Sequence, residues 1–209
     1  MRLTLTTSSP SDAVYTSEDG VPQYKVASVP LLKKMREGRS IKVSKVVDAD
    51  IPRAPSRGSA TSSQPEGGGS AEAAARYARL ATIDLHVVDP SVIRFAGRER
   101  EVLMRDFFRK EGWGWYGRHR VFTAQDGKEY KWILGAYTCY LQVNDASEKP
   151  VARFRPAKFG IFSKKRPASL EIYEGFEELL DEIMVTFVFI EHIRKTKERA
   201  ARSPVVLNK

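Results

Sequence analysis

The apolar residues near the carboxyl end of the chain follow helical spacing. They recur at steps of three and four, which places them on one helical face: Phe176, Leu179, Leu180, Ile183, Met184, Phe187 and Ile190. Acidic residues precede this run and basic residues follow it, an order that complements the helix dipole. The central IMVTFVFI at 183–190 alone would favour a strand, but its flanks favour a helix over residues 176–200.

This predicted helix is apolar on every side at its centre, so something must enclose it. A membrane is a poor candidate, because spanning one takes roughly 20 apolar residues. The apolar run is shorter, and Glu182 and Glu191 bracket it, each at a high cost in lipid. The pattern therefore predicts a helix buried by the rest of the chain.

The remainder of the chain alternates apolar and polar residues in short segments, which is typical of strands. Hairpin signals occur at Glu18-Asp19-Gly20 and at Gln125-Asp126-Gly127-Lys128. Residues 31–38 suggest a short turn or helix, and 98–110 either a short helix or a strand and a loop. The predicted strands are 2–7, 13–16, 23–29, 40–47, 76–88, 92–95, 120–123, 129–134, 136–144, 150–155 and 169–173.

Short strands joined by hairpins predict an antiparallel sheet. A closed barrel would surround the helix and leave no exposed strand edge. The expected fold is therefore α+β: an antiparallel β-barrel wrapped around a central, buried C-terminal α-helix.

The domain organisation follows from composition. Residues 50–75 are dominated by Pro, Gly, Ser and Ala, which predicts a disordered loop. Residues 1–49 are too few to fold alone, so we interpret 50–75 as an insertion within a single domain spanning 1–202. Residues 203–209 are expected to form a disordered tail.

Several motifs occur in an order that resembles an uncharacterised fungal family of unknown function. They are FTAQDG at 122–127, YKW at 130–132, VARF at 151–154, LEI at 170–172 and LDEIMVT at 180–186, followed by Arg194. That family is similar in plan to the tubby C-terminal-like group, which includes LURP-one-related proteins and phospholipid scramblases. The resemblance implies a β-barrel around a C-terminal helix and an association with membranes and phosphoinositides. No motif matches the lipid-binding residues of tubby, so none is carried over.

The charge balance points to an anionic partner. Net charge is +9 and the pI is about 9.6, which suits a membrane surface or nucleic acid, although solubility alone would also explain it. The one cysteine, Cys139, excludes an internal disulfide framework and fits a reducing compartment. With no apolar signal segment at residues 1–10, we expect a cytoplasmic location, peripheral to membranes if the partner is lipid.

Two groups of residues are candidates for binding lipid or another anion. The first interleaves aromatic and basic residues: Trp113, Trp115, Tyr116, Arg118 and Arg120. The second is purely basic: Lys158, Lys164, Lys165 and Arg166. Trp and Tyr favour membrane interfaces, and Arg and Lys attract anionic lipid. The same aromatic run could stack single-stranded bases or pack on the sheet as a Gly-rich loop. The helix tail at 194–202 is expected to be solvated.

The sequence carries no nucleophile elbow, zinc motif, Walker sequence or dinucleotide fingerprint. Cys139 is expected to be a buried structural thiol, and His86, His119 and His192, which lack metal-type spacing, to be surface residues. We therefore predict no cofactor and a non-enzymatic module that docks on anionic membrane lipid. The alternatives are a protein-interaction scaffold regulated by the 50–75 loop and, more weakly, single-stranded nucleic-acid binding.

Overall fold

A computed structural model describes residues 1–33, 36–47, 76–86, 90–97, 101–158 and 166–202. The strands are β1 (Arg2–Leu5), β2 (Ala13–Thr16), β3 (Pro22–Lys33), β4 (Arg36–Val46), β5 (Tyr77–His86), β6 (Val92–Phe95), β7 (Val102–Leu103), β8 (Arg109–Gly114), β9 (Gly117–Thr123), β10 (Glu129–Leu134), β11 (Cys139–Val143), β12 (Pro150–Arg155) and β13 (Ser169–Ile172). The helices are α1 (Met104–Phe107) and α2 (Leu180–Arg202), and a 3-10 turn (Glu177–Leu179) precedes α2.

All the strands belong to one antiparallel sheet, in the order β7-β6-β5-β4-β3-β2-β1-β13-β12-β11-β10-β9-β8. Apart from β7 and β8, strands that are consecutive in the chain are neighbours in the sheet, and β1 pairs with β13. The two outer strands, β7 and β8, are also consecutive in the chain and are joined by α1. The predicted α+β class with a C-terminal helix is confirmed. The predicted barrel closure is not shown, because no pairing joins β7 to β8 within the described ranges.

Aromatic side chains at the end of α1 connect the two sides of this gap. The Phe107 ring centroid lies 5.6 Å from that of Phe95 on β6 and 6.0 Å from that of Phe122 on β9. The Phe108 ring stacks on Phe189 of α2 with centroids 5.4 Å apart. The gap between the edge strands is therefore packed with apolar rings.

The long helix α2 is buried as predicted, because every residue from 183 to 191 is shielded from solvent. The inward-facing side chains of the sheet pack against it. The Phe187 ring lies 5.0 Å from that of Phe154 and 6.0 Å from that of Trp132. Trp132 Nε1 also donates a 3.0 Å hydrogen bond to Thr186 Oγ1. Helix and sheet thus share one hydrophobic core.

One sequence prediction needs correction, and two stretches for which the sequence left alternatives open are now assigned. Residues 31–38, predicted as a turn or helix, are extended apart from 34–35, which lie outside the described part, since β3 and β4 pair as far as Lys33↔Arg36. Residues 98–110 contain both alternatives, with β7, α1 and the start of β8 in the described part. The run at 113–117, for which a Gly-rich loop packed on the sheet was one alternative, belongs to the β8–β9 hairpin. At 31–38 the cross-strand ladder overrides a weak local signal.

Because neighbouring strands are antiparallel, their connections alternate between the two ends of the sheet. One end lies at the start of α2, where Asp181 accepts hydrogen bonds from Tyr24 Oη at 2.5 Å and from Lys45 Nζ at 3.1 Å. The β4–β5 connection leaves and returns at this end, since Val46 pairs with Tyr77. The predicted insertion at 50–75 and the predicted tail at 203–209 lie outside the described residues.

Candidate functional site: a basic end with two exposed tryptophans

The other end of the sheet, where α2 terminates, is rich in basic residues, and we call it the basic end. It carries the β8–β9 hairpin, in which Gly114 pairs with Gly117 so that Trp115 and Tyr116 form the turn. Trp113 is 80% exposed and Trp115 is 77% exposed. Large exposed apolar side chains grouped together are characteristic of interaction surfaces.

Glycines allow this hairpin to pack closely on its neighbours. A Cβ atom on Gly114 would lie 2.7 Å from the Leu134 carbonyl oxygen and would collide with the His119 ring. Gly117 adopts a φ of +97°, which favours glycine. The Leu134 N–H donates to His119 Nδ1 at 3.4 Å. The hairpin is therefore held against β10 while its two tryptophans remain in solvent.

The helix tail meets this hairpin. The Arg194 guanidinium lies 6.0 Å from the centroid of the Tyr116 ring, and a Cβ atom on Gly117 would lie 2.5 Å from Lys197 Nζ. The pKa of Lys197 is lowered by burial and then by the charges of Arg120 and Lys110. Lys110, Arg118, Arg120 and Lys197 thus form one cationic cluster at the β8–β9 hairpin.

Within the described residues, no salt bridge joins Lys110, Arg118, Arg120 or Lys197 to a carboxylate, although Glu111 lies on the same hairpin. Arg118 donates to the Lys110 carbonyl oxygen at 2.8 Å, and Arg120 donates to the carbonyl oxygens of Arg118 and His119. The pKa of Arg120 is lowered by burial and then by the Arg118 charge. The two strands of the hairpin contain four cations, Arg109, Lys110, Arg118 and Arg120, and a single acid, Glu111, so the hairpin carries an excess of positive charge.

Only Lys158 and Arg166 of the second candidate group lie in the described part of the chain. Lys158 and Arg166 form a two-residue bridge, with N–O distances of 2.9 and 3.2 Å, in the β12–β13 connection. This connection also lies at the basic end, as does Tyr137, which is 86% exposed. Lys164 and Lys165 lie outside the described residues. The structure records no contact between Lys158 or Arg166 and the tryptophan hairpin within the residues that it describes.

Sequence reasoning was wrong about part of the helix tail. Arg194, predicted to be solvated, is 3% exposed, and Glu191 is 1% exposed. Arg194 Nε and Nη2 donate to the two carboxylate oxygens of Glu191 at 2.7 and 2.8 Å. Cys139 is buried as predicted, and its Sγ donates to Glu191 Oε2 at 3.5 Å. Burial, followed by the Glu191 charge, raises the pKa of this thiol.

The sequence analysis did not predict two cavities that the structure contains. One is a polar cavity of about 170 Å³ beside the tail of α2, with Arg39, His192, Lys195 and Arg199 in its wall. The other is an apolar groove of about 340 Å³ bordered by Tyr137, Tyr140 and Tyr173. Neither has a local sequence signal, because each combines residues that are far apart in the chain.

Two findings concern metal ions and membrane-spanning helices in the described residues. They contain no group of three or more His, Cys, Asp and Glu side chains placed to hold a metal ion. In the same residues, no helix combines the length and apolar character needed to cross a bilayer.

These features define an α+β module, a single antiparallel sheet packed around its C-terminal helix, with a basic and aromatic end. The chain belongs to a family of unknown function, DUF6593, whose model matches residues 8–196. This match confirms the part of the resemblance that concerned a family of unknown function. No curated protein and no solved structure matches the chain, and none of the comparisons links it to the tubby C-terminal-like group.

Proposed function

We propose that this protein is a non-enzymatic module that docks on membrane surfaces containing anionic lipid through its basic end. One observation carries the proposal: Trp113 and Trp115 are exposed on the same hairpin as Lys110 and Arg118, and Lys197 lies against this hairpin at Gly117. Indole rings favour the membrane interface, and each basic residue near an anionic surface contributes about 1 kcal/mol. Together they supply both an apolar anchor and an electrostatic attraction.

The charge distribution would orient the protein on such a surface. The acidic side chains around the start of α2 lie at the opposite end of the sheet: Asp126, Glu177, Glu178, Asp181 and Glu182. An anionic membrane would attract the basic end and repel the acidic end. The module would therefore approach with its tryptophan hairpin toward the lipid.

Sedimentation with vesicles tests the proposal. The protein should co-sediment with phosphatidylserine-containing vesicles at low ionic strength, and a smaller fraction should do so at physiological ionic strength. It should not co-sediment with phosphatidylcholine vesicles. Trp113 and Trp115 emission should shift to the blue, while Trp132, the remaining tryptophan, is already buried. No binding, or no response of the emission, would refute the proposal.

Paired charge reversals identify the surface. Lys110→Glu with Arg118→Glu changes the basic end, while Arg79→Glu with Lys128→Glu makes the same net change elsewhere on the exposed surface. The first pair should abolish binding and the second should weaken it only slightly. Trp113→Ala with Trp115→Ala should weaken binding without changing its salt dependence. Equal effects of the two charge reversals would exclude a specific surface.

The exposed tryptophans also support a second candidate, the binding of single-stranded nucleic acid, because aromatic rings stack on bases. Steep salt dependence with an oligonucleotide and no binding to vesicles would favour it. A protein-interaction role for residues 50–75 stays a prediction, and a pull-down repeated after deletion of 51–74 tests it.

We further propose that the sheet is a barrel, similar in plan to the tubby C-terminal-like group, whose closure is completed by α1. The strand order supports this, because it follows a ring interrupted only between β7 and β8. An experimentally determined structure with β7 and β8 on opposite sides of the molecule would refute it. A cytoplasmic, membrane-peripheral location is part of the same proposal, and fractionation of cells expressing the tagged protein tests it.

A further inference from the structure

The polar cavity beside the tail of α2 lies between three elements, and we name it the tail pocket. One wall is a helix face whose residues recur every three or four positions: Val188, Glu191, His192, Lys195, Thr196 and Arg199. Arg39 of β4 provides a second wall. Ser9, Pro10 and Ser11 from the β1–β2 connection provide the third.

The position of Arg39 follows from strand alternation. Val43 and Ile41 are fully buried and face the core, so Arg39 is the next residue on the inward side of β4. It is exposed and lies toward the basic end of that row. Its guanidinium is thus directed over the end of the core toward the helix.

The β1–β2 connection is held in place by its own hydrogen bonds. Thr7 Oγ1 accepts from the Ser9 N–H at 3.1 Å and donates to the Asp12 carbonyl oxygen at 2.7 Å. The buried Tyr15 hydroxyl donates to the Pro10 carbonyl oxygen at 2.7 Å. Ser9 Oγ and Ser11 Oγ lie 3.3 Å apart. The two serine hydroxyls are therefore presented by an ordered loop.

The charges in this pocket are predominantly positive. Arg39, Lys195 and Arg199 line the cavity together with His192, and the pKa of His192 is lowered by burial and then by the charges of Arg39 and Arg199. Glu191, at the floor, is already bonded twice to Arg194, and Asp12 is an exposed acid in the adjacent loop. No carboxylate of the described residues forms a salt bridge with Arg39 or Lys195.

We propose that the tail pocket binds the phosphomonoester group of a small anionic ligand. A cavity of about 170 Å³ is smaller than the roughly 300–1,000 Å³ typical of sites for larger ligands, so it suits one compact group. Guanidinium groups match phosphate geometry through paired N–H donors. The hydroxyls of Ser9, Ser11 and Thr196 add donors for a terminal phosphate with three free oxygens.

This inference goes beyond the proposed function and rests on different residues, so either can fail alone. Glycerol phosphate serves as a soluble phosphomonoester, and dimethyl phosphate is the matched diester. The His192 ring signals of the full-length protein, followed by NMR, should shift and saturate with glycerol phosphate. Dimethyl phosphate should bind at least about tenfold more weakly, because it loses charge and terminal oxygens.

Charge-neutralising variants locate the site. Lys195→Gln and Arg39→Gln should each weaken glycerol phosphate binding by about tenfold. Arg79→Gln, an exposed cation on β5, should leave it unchanged. Thermal unfolding of each variant checks that the fold is retained. Unchanged affinity in both Lys195→Gln and Arg39→Gln, or equal affinity for monoester and diester, would overturn the proposal.

The source of the phosphomonoester is distinguished by a lipid arm. Phosphatidic acid carries a phosphomonoester headgroup, whereas phosphatidylserine carries a diester. Saturable binding of glycerol phosphate supports a soluble ligand. A lipid headgroup is supported by a different result. The protein would then prefer phosphatidic acid vesicles to phosphatidylserine vesicles, Lys195→Gln would lose this preference, and glycerol phosphate would not bind. If neither is observed the tail pocket is not a phosphomonoester site, whatever phosphatidylserine vesicles show for the tryptophan hairpin.

Discussion

Arg194 and Glu191 form a doubly bonded ion pair inside the sheet, one turn apart on α2, with N–O distances of 2.7 and 2.8 Å. Burial lowers the pKa of the Arg194 guanidinium, but its bonds to Glu191 more than offset this, and the net shift is upward. Glu198 also accepts from Arg194 at 3.2 Å. The pair thus marks the point where the buried part of the helix gives way to its basic tail.

Breaking this pair should destabilise the protein strongly. Arg194→Met leaves the Glu191 carboxylate buried without its partner, at an expected cost of about 3–5 kcal/mol in the free energy of unfolding. Glu191→Leu removes two of the three bonds of the guanidinium and leaves it with Glu198 alone, so it should also be destabilising but less so than Arg194→Met. Urea unfolding followed by tryptophan fluorescence measures both.

The double variant Glu191→Leu with Arg194→Met is the control for these two. Replacing both charges by apolar groups removes the penalty of an unpaired ion, so it should recover most of the loss. If the double variant instead lost as much free energy of unfolding as the two single variants together, the two residues would not be coupled, which would contradict the observed geometry.

A buried hydrogen bond joins helix to sheet at the centre of the core. Trp132 Nε1 donates to Thr186 Oγ1, which in turn donates to the Glu182 carbonyl oxygen at 2.7 Å. Thr186→Val keeps the volume but leaves the indole N–H without an acceptor. The free energy of unfolding should therefore fall by roughly 1–3 kcal/mol. Thr186→Ser keeps the hydroxyl and should lose about 1 kcal/mol through its missing methyl. A larger loss for Ser than for Val in urea unfolding would contradict this role.

The helix and most hairpins could be predicted because their signals are periodic and local. The run at 183–190 has no polar face, and Tyr130, Trp132 and Leu134 alternate as one buried row, as observed. The Glu191–Arg194 pair could not be predicted, since charges spaced three apart on a helix end are usually solvated. The tail pocket could not be predicted for a different reason. Arg39 and Lys195 are far apart in the sequence, and only the folded chain brings them to one cavity.

The ring of Phe108 should be important for holding α1 against the core. It is 2% exposed and lies between Phe189 of α2 and Phe122 of β9. Phe108→Ala should lower the free energy of unfolding by about 3–5 kcal/mol, while Phe108→Leu should cost under about 1.5 kcal/mol. Urea unfolding gives both values. A loss below about 1 kcal/mol for Phe108→Ala would show that this ring does not fill the gap.

The buried thiol of Cys139 should make the fold sensitive to alkali. Its pKa is raised in the folded state by burial and by Glu191, whereas the unfolded chain releases this proton at about pH 8.5. Above that pH the unfolded state binds fewer protons than the folded state, so stability falls as pH rises. Cys139→Ala should reduce this fall, as measured by urea unfolding across the alkaline range.

Thiol reagents provide a second measurement on the same group. In the folded protein Cys139 should react with a disulfide reagent far more slowly than in urea, because only the thiolate reacts and the side chain is inaccessible. Rapid stoichiometric reaction under native conditions would contradict the buried position. An unchanged alkaline slope in Cys139→Ala would assign the pH effect to other groups, such as Tyr15, whose pKa burial also raises.

The histidines at the basic end should produce the opposite dependence in mild acid. The pKa of His119 is lowered by burial and then by the Lys131 charge, and the pKa of His192 by burial and then by Arg39. Below about pH 6.5 the unfolded chain takes up protons that the folded protein does not, so stability falls as pH decreases. His119→Gln and His192→Gln should each flatten this slope in urea unfolding, with His86→Gln, which replaces the histidine at the end of β5, as the control. A slope between about pH 7 and about pH 5.5 that is unchanged in both variants would show that neither imidazole is held in its neutral form by the fold.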